Sequence, residues 1–139
     1  MTLGKLLRTW RVSAGQIYAE FAGAILARGP MGGPVTTLAY SAAPVMNASL
    51  SNAFVMTVSD GVAFVIGAPI NPPPGVGMRL ALTIRNASGG AHGAGTWNAI
   101  FKTSGNVPAI ANGFSRTFEF QWNGTNWVEV FRTAADVAN

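Results

Sequence analysis

The acid–base chemistry open to this chain rests on very few side chains. Its carboxylates are Glu20, Asp60, Glu119, Glu129 and Asp136, and its one imidazole is His92. Cleaving a glycosidic bond takes two carboxyl groups that face each other. Only Glu119 and Glu129 lie in neighbouring strand-like segments that could bring them together; outward-facing, solvated carboxylates are the preferred reading. Ser88-Gly89-Gly90-Ala91-His92-Gly93 looks superficially like a loop that cradles phosphate. It lacks the lysine and the downstream helix such loops use, so it reads as a turn. His92 has no carboxylate close to it in sequence, and with no cysteine the chain has neither disulfides nor thiolate metal ligands. No catalytic, cofactor-binding or metal-binding residue is therefore expected. Trp97, Trp122 and Trp127 remain: their faces could stack on sugars, or pack in a core or subunit contact, and packing is preferred.

The segments that would position these residues are strand-like. Phe114–Phe131 alternates polar and apolar residues, placing Phe114, Phe118, Phe120 and Trp122 on one face of a strand. Asn123-Gly124 interrupts it where a hairpin needs positive φ, and a second aromatic run follows. That much apolar surface must be covered by another sheet or another subunit. Upstream, Ala53–Val58, Val62–Ile66, Met78–Arg85 and Thr96–Phe101 read as strands, with Ser59-Asp60-Gly61 as a hairpin signal and Asn71-Pro72-Pro73-Pro74-Gly75 as a loop. The expected fold class is mainly β, an antiparallel β-sandwich or jelly-roll-like domain over residues 53–139. Residues 29–52 read as a Gly/Pro-rich linker with at most one short strand near Val35–Leu38. In residues 1–28, Leu3, Leu7, Trp10, Ala14, Ile17, Phe21 and Ala24 repeat as the seam of an amphipathic helix that stops at Arg28-Gly29-Pro30. Leu3, Leu7, Trp10, Ile17 and Phe21 would then form an oligomer interface, or else cover the domain's own core.

Composition narrows the function classes. Only 10% of the 139 residues are charged while 49% are hydrophobic, against about 25% charged in ordinary soluble domains. A surface so poor in charge implies cover by protein partners. The net charge of +4 reflects scarce acids; apart from Lys5, Arg8 and Arg11 the basic residues are scattered, so no nucleic-acid partner is expected. No apolar run reaches the roughly 18 residues of a membrane span, and Gln16 and Glu20 interrupt any signal-peptide-like centre.

Residues from about 50 to 139 resemble a domain of tailed-bacteriophage virion proteins: tail fibres, tailspikes and capsid decoration or head-fibre proteins. The likeness is carried by Leu82-Thr-Ile-Arg-Asn86, Gly89-Gly90, Gly95-Thr-Trp-Asn98, Phe101-Lys102, Ser104-Gly105, Pro108, Arg116-Thr-Phe-Glu-Phe-Gln-Trp-Asn-Gly124, Trp127-Val-Glu129 and Asp136-Val137. The resemblance implies a non-enzymatic, homotrimeric β-sandwich that serves as an adaptor or base among other virion proteins, assembled in the host cytoplasm. Unlike the large tailspikes, this sequence carries no β-helix or receptor-binding tip. That favours a small capsid- or tail-bound component fixed by residues 1–52, with Lys5, Arg8 and Arg11 steering it to an acidic surface. The alternative is a carbohydrate-binding module or host-surface glycan adhesin built on Trp97, Trp122 and Trp127.

Overall fold

In the computed structural model the chain divides into two units, Met1–Gly32 and Gly33–Asn139. The structure describes residues 34–71 and 76–139 and, within the first unit, the backbone of two strands. These are β1 (Leu7–Ser13) and β2 (Gln16–Phe21), an antiparallel pair that sets Leu7 opposite Phe21 and Val12 opposite Ile17. The helical seam expected over residues 1–28 falls on this unit. Leu3 lies outside the described residues, as do the side chains of Leu7, Trp10, Ile17 and Phe21.

The second unit is mainly β. Its strands are β3 (Val35–Leu38), β4 (Ala53–Val58), β5 (Phe64–Ile66), β6 (Arg79–Asn86), β7 (Gly95–Trp97), β8 (Phe101–Lys102), β9 (Phe114–Trp122), β10 (Trp127–Arg132) and β11 (Val137–Ala138). A seven-stranded sheet runs β3-β4-β6-β9-β10-β8, with β11 also on β9, and β5 and β7 pair separately. The sheet is mixed where an antiparallel one was expected. β3 with β4, β4 with β6 and β8 with β10 are parallel; β6, β10 and β11 meet β9 antiparallel.

The reason lies in connections that cross over where a hairpin was expected, and the one between β4 and β6 shows it. Parallel neighbours need a crossover, and residues 59–78 supply it between β4 and β6, carrying β5 into the opposite layer. Ser59-Asp60-Gly61 therefore opens a crossover and does not close a hairpin. Turn chemistry says that the chain reverses; it does not say which strand the chain returns to.

The strands of this unit are rich in Val, Ile, Thr and Phe, and β4, β5, β6 and the second half of β9 bury alternate residues. β6 buries Leu80, Leu82, Ile84 and Asn86 while Arg79 and Arg85 face out. Phe54, Met56 and Val58 of β4 and Phe118 and Phe120 of β9 join them on that face. Phe64 and Ile66 of β5 bury against the same core, and the ring of Trp97 on β7 sits 5.1 Å from both Phe118 and Phe120. The aromatic hairpin is thus covered by the unit's own second layer. That layer widens through backbone bonds from Val65 N–H to the Ala42 carbonyl, Gly67 N–H to the Pro44 carbonyl and Val107 N–H to the Gly95 carbonyl. Residues 34–52, read from the sequence as linker, thus belong to the unit: they contribute β3 and the buried Leu38 and Met46.

Candidate functional site

Among the described residues, charge divides the β unit in two. From Gly29 to Met78 the sequence carries one charged residue, Asp60; Arg79, Arg85, Lys102, Arg116, Glu119, Glu129, Arg132 and Asp136 all follow. The lone Asp60 is engaged locally. Its Oδ1 accepts from the Tyr40 hydroxyl at 2.6 Å and from Val62 N–H at 2.9 Å. The hydroxyl bond, and then the amide, hold the Asp60 carboxyl below its usual range. Desolvation first, and then the Asp60 carboxylate, push the Tyr40 phenol up to about 12.

In the second half six of the eight charges form ion pairs: Arg79–Glu119, Arg116–Asp136 and Arg132–Glu129. β10 carries a register shift between Glu129 and Phe131. Residues three apart on a regular strand face opposite ways, but an extra residue in one strand restores the same side. Glu129 therefore lies opposite the buried Phe120 and Arg132 opposite the buried Phe118, and the two form an ion pair. The guanidinium stands 5.2 Å from the Phe118 ring centre. Glu129 also accepts from Ser104 N–H at 3.0 Å. Its carboxyl is held below the ordinary range chiefly by the hydrogen bond from Arg132. The outward, solvated position expected for Glu129 is corrected accordingly, because the bulge reverses the alternation. Glu119 lies opposite Phe131, on the other face, and meets Arg79 at 3.4 Å. The two glutamates therefore do not face each other as a glycosidase pair would.

His92 and Asn86 hold together the loops at one end of the sheet. Asn86 is fully buried. Its amide donates to the carbonyls of Gly90 at 2.9 Å and Ile110 at 2.6 Å, and its Oδ1 accepts from Ser88 N–H. Ile110 N–H donates to His92 Nε2 at 3.0 Å. The ring proton therefore sits on Nδ1, which donates to the Gly93 carbonyl at 2.6 Å. Both backbone groups of Ile110 are met by side chains. Gly93 lies so close to the Val62 carbonyl that a Cβ there would overlap it. The glycine-rich loop is thus a fastened strap, with its imidazole engaged by the backbone. Among the described residues no three His, Cys, Asp or Glu side chains gather where an ion could be held.

The three tryptophans do not share an exposed face. Trp127 is 1% exposed, and Trp97 packs on Phe101, Phe118 and Phe120. Trp122, against Trp127 at 5.2 Å, alone reaches a surface hollow of about 350 Å³, beside Val76, Gln121 and Val128.

Sequence reasoning read Val35–Leu38 as at most one short strand within a linker and passed over the surroundings of β3. Among the described residues β3 is an edge of the large sheet, paired only with β4. Beside it runs a groove of about 360 Å³ lined by Leu38, Pro44, Val45, Leu50 and Phe54. The signal available in the sequence was the run from Gly29 to Ser59 without a single charge.

No family model matches the chain. Neither the curated proteins nor the solved structures compared with it gave a match.

Proposed function

We propose that the protein is a non-enzymatic structural component of a tailed-phage virion, a homotrimer that decorates the capsid or contributes to a tail fibre or spike. It reaches the virion after assembly in the host cytoplasm. On this reading the two layers form a β-sandwich, and residues 1–28 are the anchoring segment, whose apolar seam meets copies of itself or other virion proteins. The observation that supports assembly most directly is the surface of residues 34–78. It carries one charge, already engaged by Tyr40, and eight of the twelve exposed large apolar side chains among the described residues: Val35, Val45, Leu50, Val62, Val65, Ile70, Val76 and Met78. So many exposed aliphatics beside a single charge fit a surface that protein partners cover.

The glycan-binding alternative needs at least two exposed, coplanar indoles. With Trp127 buried and Trp97 half-buried against Phe101, Phe118 and Phe120, Trp122 is the one of the three beside the surface hollow, so assembly is the preferred reading. Light scattering of the full chain at micromolar concentration tests it: a mass of three chains is expected. A clean monomer overturns it and makes glycan binding at Trp122 the reading to pursue.

A further inference from the structure

We infer that the β3 edge is a homotypic docking site: it pairs antiparallel, across a two-fold axis, with the β3 edge of a second copy. The inference rests on the assembly reading but adds a contact that a closed trimer does not itself require, one able to join trimer to trimer.

Exposed sheet edges are normally blunted by charge, proline, bulges or shortness. β8, at the far edge, is two residues long and ends in Lys102, whose Nζ folds back to the Ala99 carbonyl at 2.9 Å. β10, beside it, carries a register shift. β3 has neither a charge nor a bulge. Its sequence is Val35-Thr-Thr-Leu38, with Val35 65% exposed, and the only proline near it, Pro34, precedes the strand.

The outward backbone groups of such an edge are best met by another strand. The groove alongside fixes the chemistry of that strand. Its floor is Leu38 and Phe54 and its rim is Val45 and Leu50, and no charged residue lies between Gly29 and Ser59 to pair with an incoming charge. A charged strand would be desolvated there without compensation. An uncharged, β-branched strand fits, and β3 of a second copy is one, bringing its own apolar groove rim to the contact.

The register follows from the pleat. Directly opposed residues share a face, so the axis passes through a residue pair. The Asn52 carbonyl accepts from Ala81 N–H, so Asn52 and Phe54 turn their backbone groups to β6, Ala53 turns its own to β3, and those of Val35 and Thr37 are left on the free edge. Centring on Thr37 sets Thr37 opposite its own copy, Thr36 opposite Leu38 and Val35 opposite Ala39, so that both outward-facing residues enter the ladder.

Two variants of the full chain test this. Thr37 is exposed, so Thr37→Lys should keep the fold, which near-ultraviolet circular dichroism checks, and Phe131→Lys on the far side serves as the control. Sedimentation across a concentration series should show wild type forming an even-numbered species, a dimer or a pair of trimers. Thr37→Lys should weaken that step at least about tenfold and Phe131→Lys should not. Because the chain has no cysteine, Thr37→Cys adds a geometric test. Under mild oxidation it should form a disulfide-linked dimer, and Val35→Cys should do so much less, since Val35 faces Ala39 and not itself.

A wild type that stops at three chains, or equal association by wild type and Thr37→Lys, overturns this inference and leaves the trimer reading standing. A dimer lost in Thr37→Lys supports the β3 contact and overturns the trimer. A monomer at every concentration overturns both.

Discussion

Residues 34–78 and residues 79–139 share one core yet have contrasting surfaces. The first part buries Met46, Phe54, Met56, Val58, Phe64 and Ile66 and shows solvent one carboxylate and a series of exposed aliphatics. The second buries Leu80, Leu82, Ile84, Phe118, Phe120 and Trp127 and carries three ion pairs: Arg79–Glu119, Arg116–Asp136 and Arg132–Glu129. Cores are alike because burial rewards apolar area whatever the surroundings. Surfaces follow no such rule, and here one part exposes charge and the other mainly aliphatic carbon. The contrast separates what folds the unit from what the unit presents.

The largest effect should come from the charged part's interior. Phe118 lies under Arg132 and against Trp97, so Phe118→Ala removes a buried ring and the support of an ion pair. A loss of about 3–5 kcal/mol is expected, measured by urea unfolding. A loss under about 1 kcal/mol would mean that the aromatic cluster is not the centre of the fold. Asn86 comes next. Asn86→Ala leaves the Ile110 carbonyl and Ser88 N–H without their partner and the Gly90 carbonyl with the Ser88 hydroxyl alone, at a cost of roughly 2–3 kcal/mol. Asn86→Asp should be at least as harmful, since a carboxylate would face two carbonyl oxygens; a neutral effect would remove the fastening role.

How far the sequence announced this arrangement depended on the range of each interaction. Phe118 and Phe120 facing inward, the loop at Asn123-Gly124 with Gly124 at φ 97° and the inward face of β6 all follow from spacing within a few residues. The mixed sheet did not, because Ser59-Asp60-Gly61 looks the same at a hairpin and at the start of a crossover. The inward position of Glu129 was hidden by the register shift in β10, which alternation alone cannot reveal. The place of residues 34–52 in the unit was masked by Gly32-Gly33-Pro34 and Pro44, punctuation that suggests a tether. Beyond the short strand read near Val35–Leu38, the character of the β3 edge was visible only as a missing feature, the long run without charge.

The Glu129–Arg132 pair gives the comparison a pH axis. A carboxyl held below its ordinary value by folding contributes stability that is present above that ordinary value, about 4.3 for glutamate. The contribution is lost as pH falls through the lowered folded value. Asp136, held down first by Ala111 N–H and then by Arg116, acts in the same direction. Urea midpoints should therefore fall below about pH 4, and Glu129→Gln should flatten part of that fall while lowering stability at pH 7. An unchanged acid limb in Glu129→Gln would assign the acid sensitivity elsewhere.

The smallest effect belongs to the outer face. Arg79 and Glu119 meet at 3.4 Å with side chains 63% and 36% exposed, where water screens the attraction and holding two long side chains costs entropy. Glu119→Gln should shift stability by less than about 0.5 kcal/mol. The same substitution bears on assembly. If copies met through this outer face, losing its one acid would leave Arg79 and Arg85 facing a partner's arginines, and association would weaken with a marked salt dependence. If they meet through the uncharged β3 edge, Glu119→Gln should leave the sedimentation profile unchanged from low to high salt. A large effect of Glu119→Gln on association, in a variant whose stability barely moves, would shift the contact surface from the uncharged part of the unit to the charged one.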